Sequence, residues 1–193
     1  MSNHDVTYII DPITEDLEGQ LLEDTTLDLN VGSHSGLHFI IATITTDDFQ
    51  QGATALADSL RDRGVRINRM DLDLVNQSEI AVRCGLSRQA VSNWINTHHH
   101  LSPFPLPHTM AGGPLWAWSR VNEWLHCTGK NSADDSDSAT PEQVDAFNTA
   151  WRQRSKVEIQ RVAYQDIPEA GRPRIAPPVE SVSWSATGVR VGA

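Results

Sequence analysis

The sequence contains little of what marks secreted or membrane-spanning proteins. Only two of its 193 residues are cysteines, Cys84 and Cys127, and their spacing fits neither a disulfide framework nor a C-x-x-C zinc site. We therefore expect both to be free structural thiols. No apolar run approaches the roughly 20 residues that a membrane-spanning helix requires. The amino terminus has neither the basic start nor the apolar run of a secretory signal, which favours a soluble, cytoplasmic protein.

Basic residues are scarce too: 15 Lys and Arg against 25 Asp and Glu give a formal net charge of −10. This balance argues against a protein that coats nucleic acid indiscriminately, because such affinity requires many cations on phosphates. The charges are unevenly distributed. Residues 1–75 contain 4 basic and 14 acidic side chains, residues 76–130 contain 4 and 2, and residues 131–193 contain 7 and 9. Only the middle segment, which also contains five of the eight histidines, is suited to approach DNA.

Recognisable catalytic motifs are missing as well. The sequence contains no G-x-S-x-G elbow, Walker loop or H-E-x-x-H motif. Asp71 and Asp73 are spaced like a carboxylate pair, but a solvated strand face explains them better. His98, His99 and His100 are potential zinc ligands, yet consecutive residues do not converge easily on one ion, so a linker is the preferred interpretation. We expect no enzyme activity, no metal and no cofactor.

Four stretches of the first 75 residues have the composition of β-strands. Residues 6–10 are β-branched and aromatic, residues 27–31 alternate apolar with polar side chains, and residues 37–45 are mostly apolar. A turn is predicted between the second and third strands at residues 32–36. The fourth strand is predicted at residues 66–74.

Two helices are predicted between these strands. Thr14 can cap the first helix, and Gly64 can end the second. The second helix is marked by apolar residues at helical spacing: Phe49, Ala53, Leu56 and Leu60. The resulting order, βαββαβ, predicts a ferredoxin-like domain in which two helices cover one face of an antiparallel sheet. The other face would be covered by a partner or the C-terminal region, or left polar, and a homodimer is therefore plausible.

Residues 76–96 have the pattern of two short helices joined by a tight turn. Asn76 and Glu79 can form a capping box at the start of the first helix. Gly85 suits a turn that requires positive φ, and Ser87 can cap the second helix. The positions predicted to face inward are apolar: Ile80, Ala81, Cys84, Val91 and Trp94.

The residues predicted to remain exposed form a polar, amide-rich face: Ser87, Arg88, Gln89, Ser92, Asn93 and Asn96. In the major groove of DNA, Arg can bond guanine and Gln or Asn can bond adenine, while Ser can bond a phosphate or a base edge. A generic solvated helix more often carries Glu and Lys. The composition therefore favours a helix that reads DNA. The alternative is a surface helix in a protein-interaction module of the same shape.

The segment resembles a known family of DNA-binding modules. Residues 80–94 are similar to the helix-turn-helix of bacterial regulators, and residues 104–107, 112–116 and 121–125 are similar to the wing and following helix of the MerR and excisionase-type winged helix-turn-helix group. Small actinobacterial and phage regulators have this layout. The resemblance implies that the second helix enters the major groove through Arg88, Gln89, Ser92 and Asn93, while the wing contacts the DNA backbone or minor groove.

Two further DNA contacts are expected downstream, from His108 and Arg120. Arg120 is the only permanent cation between Pro103 and Leu125. One copy would therefore bind DNA phosphates weakly, which favours a dimer that reads two half-sites. The long coiled coil of many MerR regulators is absent, so a dimer would use the N-terminal domain or the tail. Nearby tryptophans could stack on bases, but core packing is preferred for all four: Trp94, Trp116, Trp118 and Trp124.

The last third of the chain has three different compositions. Residues 131–139 are almost entirely Ser, Asp and Ala and predict a flexible acidic linker. Thr140, Pro141 and Gln143 are typical of a helix start. The helix would be about 15 residues long, too short to be stable alone, so its apolar stripe should dock on its own chain or on a partner. That stripe is Val144, Phe147, Trp151 and Ser155.

Beyond the helix, residues 167–179 are rich in proline and predict extended chain, and residues 182–191 alternate like a strand. We predict an α+β protein with three parts: a ferredoxin-like domain for dimerisation or regulation (1–75), a winged helix-turn-helix (76–130), and a linker, helix and Pro-rich tail (131–193). The predicted function is sequence-specific binding of double-stranded DNA by a transcriptional regulator. The alternative is an adaptor or structural subunit of a larger assembly that uses the winged helix and the tail for protein contacts.

Overall fold

The computed structural model describes residues 1–96, 102–130 and 137–165, with side chains described as far as residue 156. These residues form an α+β structure. Its elements in chain order are β1 (Ser2–Ile10), α1 (Glu15–Glu23), β2 (Leu29–His34), β3 (Leu37–Thr46), α2 (Phe49–Asp62), β4 (Ile67–Asp71), β5 (Leu74–Val75), α3 (Gln77–Arg83), α4 (Arg88–Asn96), β6 (Trp116–Ala117), α5 (Trp118–Cys127), β7 (Asp137–Ser138) and α6 (Pro141–Gln165).

The first four strands form a sheet in the order β2-β3-β1-β4, with every neighbouring pair antiparallel. The central strand β1 pairs with β3 along its whole length and with β4 over its C-terminal half. This register places Val6 opposite Ala42 and Tyr8 opposite Ile40, and all four side chains are buried in one core. The four strands and two helices predicted from residues 1–75 are therefore present, in the predicted order.

Several of the predicted boundaries are wrong. Strand β1 begins at Ser2 and not at residue 6, and β2 begins at Leu29 and not at residue 27. Residues 32–36 are not a turn, because β2 continues to His34 and only Ser35 and Gly36 connect it to β3. Both connecting residues have positive φ, 50° and 81°, and a two-residue turn of this kind matches the natural twist of paired strands. The predicted strand 66–74 is divided: β4 ends at Asp71, and Leu74 pairs with Ala117 in a separate two-stranded sheet.

Three helices contribute side chains to the core on one face of the sheet: α1, α2 and α6. Leu21 comes from α1, while Ala53, Ala57 and Leu60 come from α2. The small side chain of Ala53 leaves room for the Tyr8 hydroxyl, which donates a hydrogen bond of 2.7 Å to the Ala53 carbonyl. Burial raises the pKa of the Tyr8 hydroxyl, so this group stays a neutral donor.

Helix α6, whose docking the sequence left open, packs on its own chain through Val144, Phe147 and Trp151. The rings of Phe147 and Trp151 stack with centroids 5.6 Å apart, and the Trp151 indole donates to the Ile67 carbonyl at 3.1 Å. The helix is longer than predicted, since it extends from Pro141 to Gln165. Ser155 is exposed and does not continue the apolar stripe.

The end of the predicted flexible linker is ordered as strand β7. Asp137 and Ser138 pair in parallel with His4 and Asp5 of β1, and Ala139 is buried in the core. Backbone pairing overrides the low strand propensity of these residues, which is why composition alone predicted a linker. Residues 131–136 of that linker and the predicted segments 167–179 and 182–191 lie outside the described residues.

Asn148 satisfies the backbone at the outer edge of β4. Its side chain accepts a hydrogen bond from the Met70 amide at 2.8 Å and donates one to the Met70 carbonyl at 2.9 Å, and the residue is only 7% exposed. We expect Asn148→Ala to lower the free energy of unfolding by about 2–3 kcal/mol, because two buried backbone groups lose their partner. Urea unfolding would measure this change.

Asn68→Ala is a matched control, because Asn68 is an asparagine of β4, the strand to which Asn148 bonds. The Asn68 side chain is exposed and donates to the Asp11 carboxylate, so its removal should change the free energy of unfolding by less than about 0.5 kcal/mol. If Asn148→Ala changed the free energy of unfolding as little as Asn68→Ala, Asn148 would not hold α6 against the sheet edge.

A second core lies between helices α3, α4 and α5. We call residues 74–96 and 102–130, which build it, the three-helix module. The buried residues that form its hydrophobic cluster are Val75, Ile80, Ala81, Cys84, Val91, Phe104, Trp116, Trp118, Val121, Trp124 and Leu125. The short sheet of β5 and β6 joins the start of the module to the start of α5. The Trp118 amide also donates to the Asp73 carbonyl at 2.8 Å, which connects the module to the chain that enters it from β4.

Candidate nucleic-acid interface

The turn between α3 and α4 has the predicted local structure. The Asn76 side chain accepts from the Ser78 and Glu79 amides, and the Glu79 carboxylate accepts from the Asn76 amide at 2.7 Å. This capping box confirms the predicted start of α3. Gly85 has a φ of 63°, and the Leu86 amide beyond it donates to the Ala81 carbonyl at 2.8 Å. The glycine therefore ends α3 with a tight left-handed turn, as predicted.

Helix α4 is held against α3 at both its start and its middle. Ser87 caps it by accepting from the Ala90 amide at 3.2 Å, and Val91 is completely buried. The Gln77 side chain donates to the Arg88 carbonyl at 2.9 Å, which connects the first residues of the two helices. The orientation of α4 is thus set by packing and by a hydrogen bond at its exposed end.

The predicted polar residues of α4 lie together on its outer side, and we call Ser87, Arg88, Gln89, Ser92, Asn93 and Asn96 the α4 face. All are exposed except Ser92, which is half-buried. Gln89 donates to the Asn93 side chain at 3.2 Å, and Asn96 donates to the Ser92 carbonyl at 2.8 Å. Hydrogen bonds one helical turn apart therefore order the amide groups along the face.

His108 lies at the start of a short hairpin, residues 108–115. Across the hairpin, the His108 amide donates to the Leu115 carbonyl at 2.7 Å, and the Leu115 amide donates to the Thr109 carbonyl at 2.9 Å. Gly112 and Gly113 form its turn with φ values of 74° and 129°, a conformation that favours glycine. The His108 side chain is exposed. The turn adjoins the first residues of α3 and Arg88, with which it encloses a groove.

Arg120 is placed differently from the α4 face. It lies on α5 and forms ion pairs with Glu123 at 3.3 Å and with Glu142, in the first turn of α6, at 2.5 Å. The pKa of the Glu142 carboxyl is lowered, first by its own backbone amide and then by the Thr140 hydroxyl and Arg120, which donate to it. Arg120 thus connects the three-helix module to α6, and a DNA phosphate would compete with two carboxylates for it.

Two of the other cations of the three-helix module also have intramolecular partners. Arg83 forms two hydrogen bonds with the Asp73 carboxylate, at 2.6 and 2.9 Å, and lies over the Trp118 ring. The Lys130 ammonium lies 4.9 Å from the Trp94 ring centre and 5.2 Å from that of Trp124. Arg88 differs, because within the described parts of the chain no carboxylate forms an ion pair with it.

The tryptophans of the module pack in its core, as predicted. Trp116, Trp118 and Trp124 are buried, and Trp94 is partly buried against Trp124 with ring centres 5.4 Å apart. Their indole groups are used internally: Trp116 donates to the Pro105 carbonyl and Trp124 to the Ser102 carbonyl. These rings support α4 from inside.

The remaining predictions about reactive side chains have mixed outcomes. Cys84 and Cys127 are both free thiols, as expected; Cys84 is buried, whereas Cys127 is exposed. Asp71 pairs with Arg69, and Asp73 is half-buried against Arg83, so Asp73 is not simply part of a solvated face. His98, His99 and His100 lie outside the described residues. Among the residues that are described, no group of three His, Cys, Asp or Glu side chains is placed to hold a metal ion.

Sequence reasoning assigned no role in binding to Gln77 and Ser78, which border the groove beside Arg88. In the sequence they stand between Asn76 and Glu79, the two residues of the capping box. Their proximity to the 108–115 hairpin depends on the path that the chain takes from the end of α4 back to the start of α3. No local signal in the sequence indicates that return.

Comparison with known proteins does not assign the chain to a family. No family model matches it, and neither a curated protein nor a solved structure is detectably similar. In the described parts of the chain, no helix is both long enough and apolar enough to cross a membrane.

Proposed function

We propose that the protein is a sequence-specific, DNA-binding transcriptional regulator whose helix α4 reads the major groove. The observation that carries this proposal is the α4 face, because it is exposed, rich in amide and hydroxyl groups, and contains no carboxylate. An α-helix fits the major groove of B-DNA, where amide side chains can bond adenine in a bidentate manner. Packing on α3 holds the helix in one orientation, which lowers the entropic cost of binding.

We infer that the three-helix module is a winged helix-turn-helix. The support is its order, β5-α3-α4-hairpin-β6-α5, in which residues 108–115 take the place of the wing. We likewise infer that residues 2–71 are a ferredoxin-like domain, on the strength of the strand order β2-β3-β1-β4 and its antiparallel pairs. In this proposal His108 contacts DNA from the wing.

We propose that the protein acts in the cytoplasm as a homodimer on two half-sites. The described residues of the three-helix module of one copy offer few cations for phosphates, since Arg83, Arg120 and Lys130 all have intramolecular partners. A second copy doubles the number of base and phosphate contacts. The acidic N-terminal segment would repel the DNA backbone and so reduce occupancy of random sequence, leaving the base contacts to choose the site.

Selection of bound duplexes from a random pool by the full chain tests the proposal. We expect one preferred sequence, with half-sites about 10 base pairs or a multiple apart if the protein binds as a dimer. Gln89→Ala should weaken binding to that sequence by about 1–3 kcal/mol and relax the preference at one base pair. Titration of the selected duplex and its single-base variants measures both effects.

Gln51→Ala is the matched control, because Gln51 is an exposed glutamine of α2 and lies outside the α4 face. Its affinity and preferred sequence should equal those of the unchanged protein. A pool that yields no preferred sequence would contradict DNA reading and favour the adaptor role, for which the net charge of −10 is the supporting observation.

A further inference from the structure

We propose that Arg88 binds a phosphodiester of the DNA backbone and does not read a base. The site is the groove between residues 76–78 and residues 112–115, which Arg88 lines. This inference rests on the proposed function and assigns different tasks to two parts of one helix. Arg88 would set the position of α4 on the duplex, and the amides that follow it would read sequence.

The first observation is the charge of the groove. Its lining residues include Arg88 and the exposed Ser78 but no acidic residue, although acidic residues outnumber basic ones by 25 to 15 in the whole chain. The nearby Glu79 carboxylate accepts the hydrogen bond of the Asn76 amide. Within the part of the chain that the structure describes, Arg88 has no ion-pair partner, whereas Arg83 and Arg120 are each paired. A guanidinium and a hydroxyl that line the same groove are both suited to the oxygens of a phosphate.

The second observation is the turn on the opposite wall. Gly112 and Gly113 both adopt positive φ, and a Cβ added at either glycine would meet no other atom of the described protein within 4 Å. The space beside the turn is therefore open, and the missing side chains let a ligand approach the backbone closely. A DNA strand at the edge of the major groove would pass between this turn and α3.

The third observation is that the position of Arg88 is fixed by its neighbours. Arg88 is the first residue of α4, and its carbonyl accepts the hydrogen bond from Gln77 on the wall of the groove. Gln89 and Asn93 are instead joined by a hydrogen bond along the outer side of the helix. The backbone of Arg88 is thus fixed at the groove, at one end of the α4 face, and the bonded amides lie farther along that face.

Titrations of the full-length protein at several salt concentrations test the inference, with the selected duplex and an unrelated duplex as ligands. For Arg88→Ala we expect affinity for both duplexes to fall by the same factor, on the order of tenfold, with the salt slope reduced by about 1. Arg88→Lys should keep the slope, because a lysine still neutralises a phosphate. Gln51→Ala should behave like the unchanged protein.

Neutral methylphosphonates, introduced one at a time into the selected duplex, locate the contact. The unchanged protein should lose affinity at one phosphate per half-site, and Arg88→Ala should show no further loss at that phosphate. Relaxed preference at a guanine with an unchanged salt slope in Arg88→Ala would overturn the inference and leave the proposed function standing. No preferred sequence for the unchanged protein would overturn both.

Discussion

Trp151→Ala is expected to lower the free energy of unfolding by about 3–5 kcal/mol, the usual cost of emptying a buried aromatic site. Trp151 is 6% exposed, and it packs from α6 into the core between the four-stranded sheet and its helices. The substitution removes its stacking on Phe147 and leaves the buried Ile67 carbonyl without its indole donor. The substitution also removes the cation–π contacts that Arg61 and Arg154 make with the Trp151 ring.

Urea or thermal unfolding of the full chain measures this effect. Trp151→Phe should lose less, because the ring that stacks on Phe147 is kept while the hydrogen bond is lost. Arg152→Ala, at the exposed neighbouring position, should change the free energy of unfolding by less than about 0.5 kcal/mol. A Trp151→Ala protein as stable as Arg152→Ala would show that α6 is not part of the core.

Trp116→Ala should have a comparable effect on the second core, again about 3–5 kcal/mol. Trp116 is 2% exposed, and its indole donates to the Pro105 carbonyl at 3.0 Å. Its ring meets the edge of Phe104, and its backbone pairs with Val75 in the β5-β6 sheet. The loss therefore removes the support of residues 104 and 105 and of the hairpin that follows them.

Under the proposed function, affinity for DNA should fall together with stability in Trp116→Ala, because the hairpin and α4 lose a common support. Unfolding curves and DNA titrations on the same preparations test this linkage. Leu106→Ala is the control: Leu106 is 88% exposed, so its loss should leave stability within about 0.5 kcal/mol of the unchanged protein. Normal stability in Trp116→Ala would contradict the packing described for this core.

The local features of the fold could be predicted from sequence because their partners are close in the chain. The Thr14 cap, the Asn76–Glu79 capping box and the Thr140–Gln143 pair each join residues three positions apart. Gly85 has the positive φ that was expected of it. The exposed α4 face was predicted for the same reason, since the inward residues of a short helix recur at fixed spacing.

Features that depend on distant partners were missed. Nothing in the composition of Asp137 and Ser138 indicates a strand, because their pairing is with His4 and Asp5 at the other end of the chain. The ion pair between Arg120 and Glu142 was not predicted, because it depends on where α6 begins. The groove beside Arg88 is similarly formed by two segments more than 30 residues apart in the sequence.

By itself, the sequence determined the order of the helices and strands in residues 1–75, the residues that cap α1, α3 and α4, and which side of these helices is apolar. These properties follow from propensities and hydrogen bonds over a few residues. Only the tertiary structure decided where α6 docks, that Asn148 bonds to the outer edge of β4, and that Arg88 has no carboxylate partner among the described residues. Such choices depend on packing and on the pairing of distant groups, because each is made by surfaces that exist only after the chain has folded.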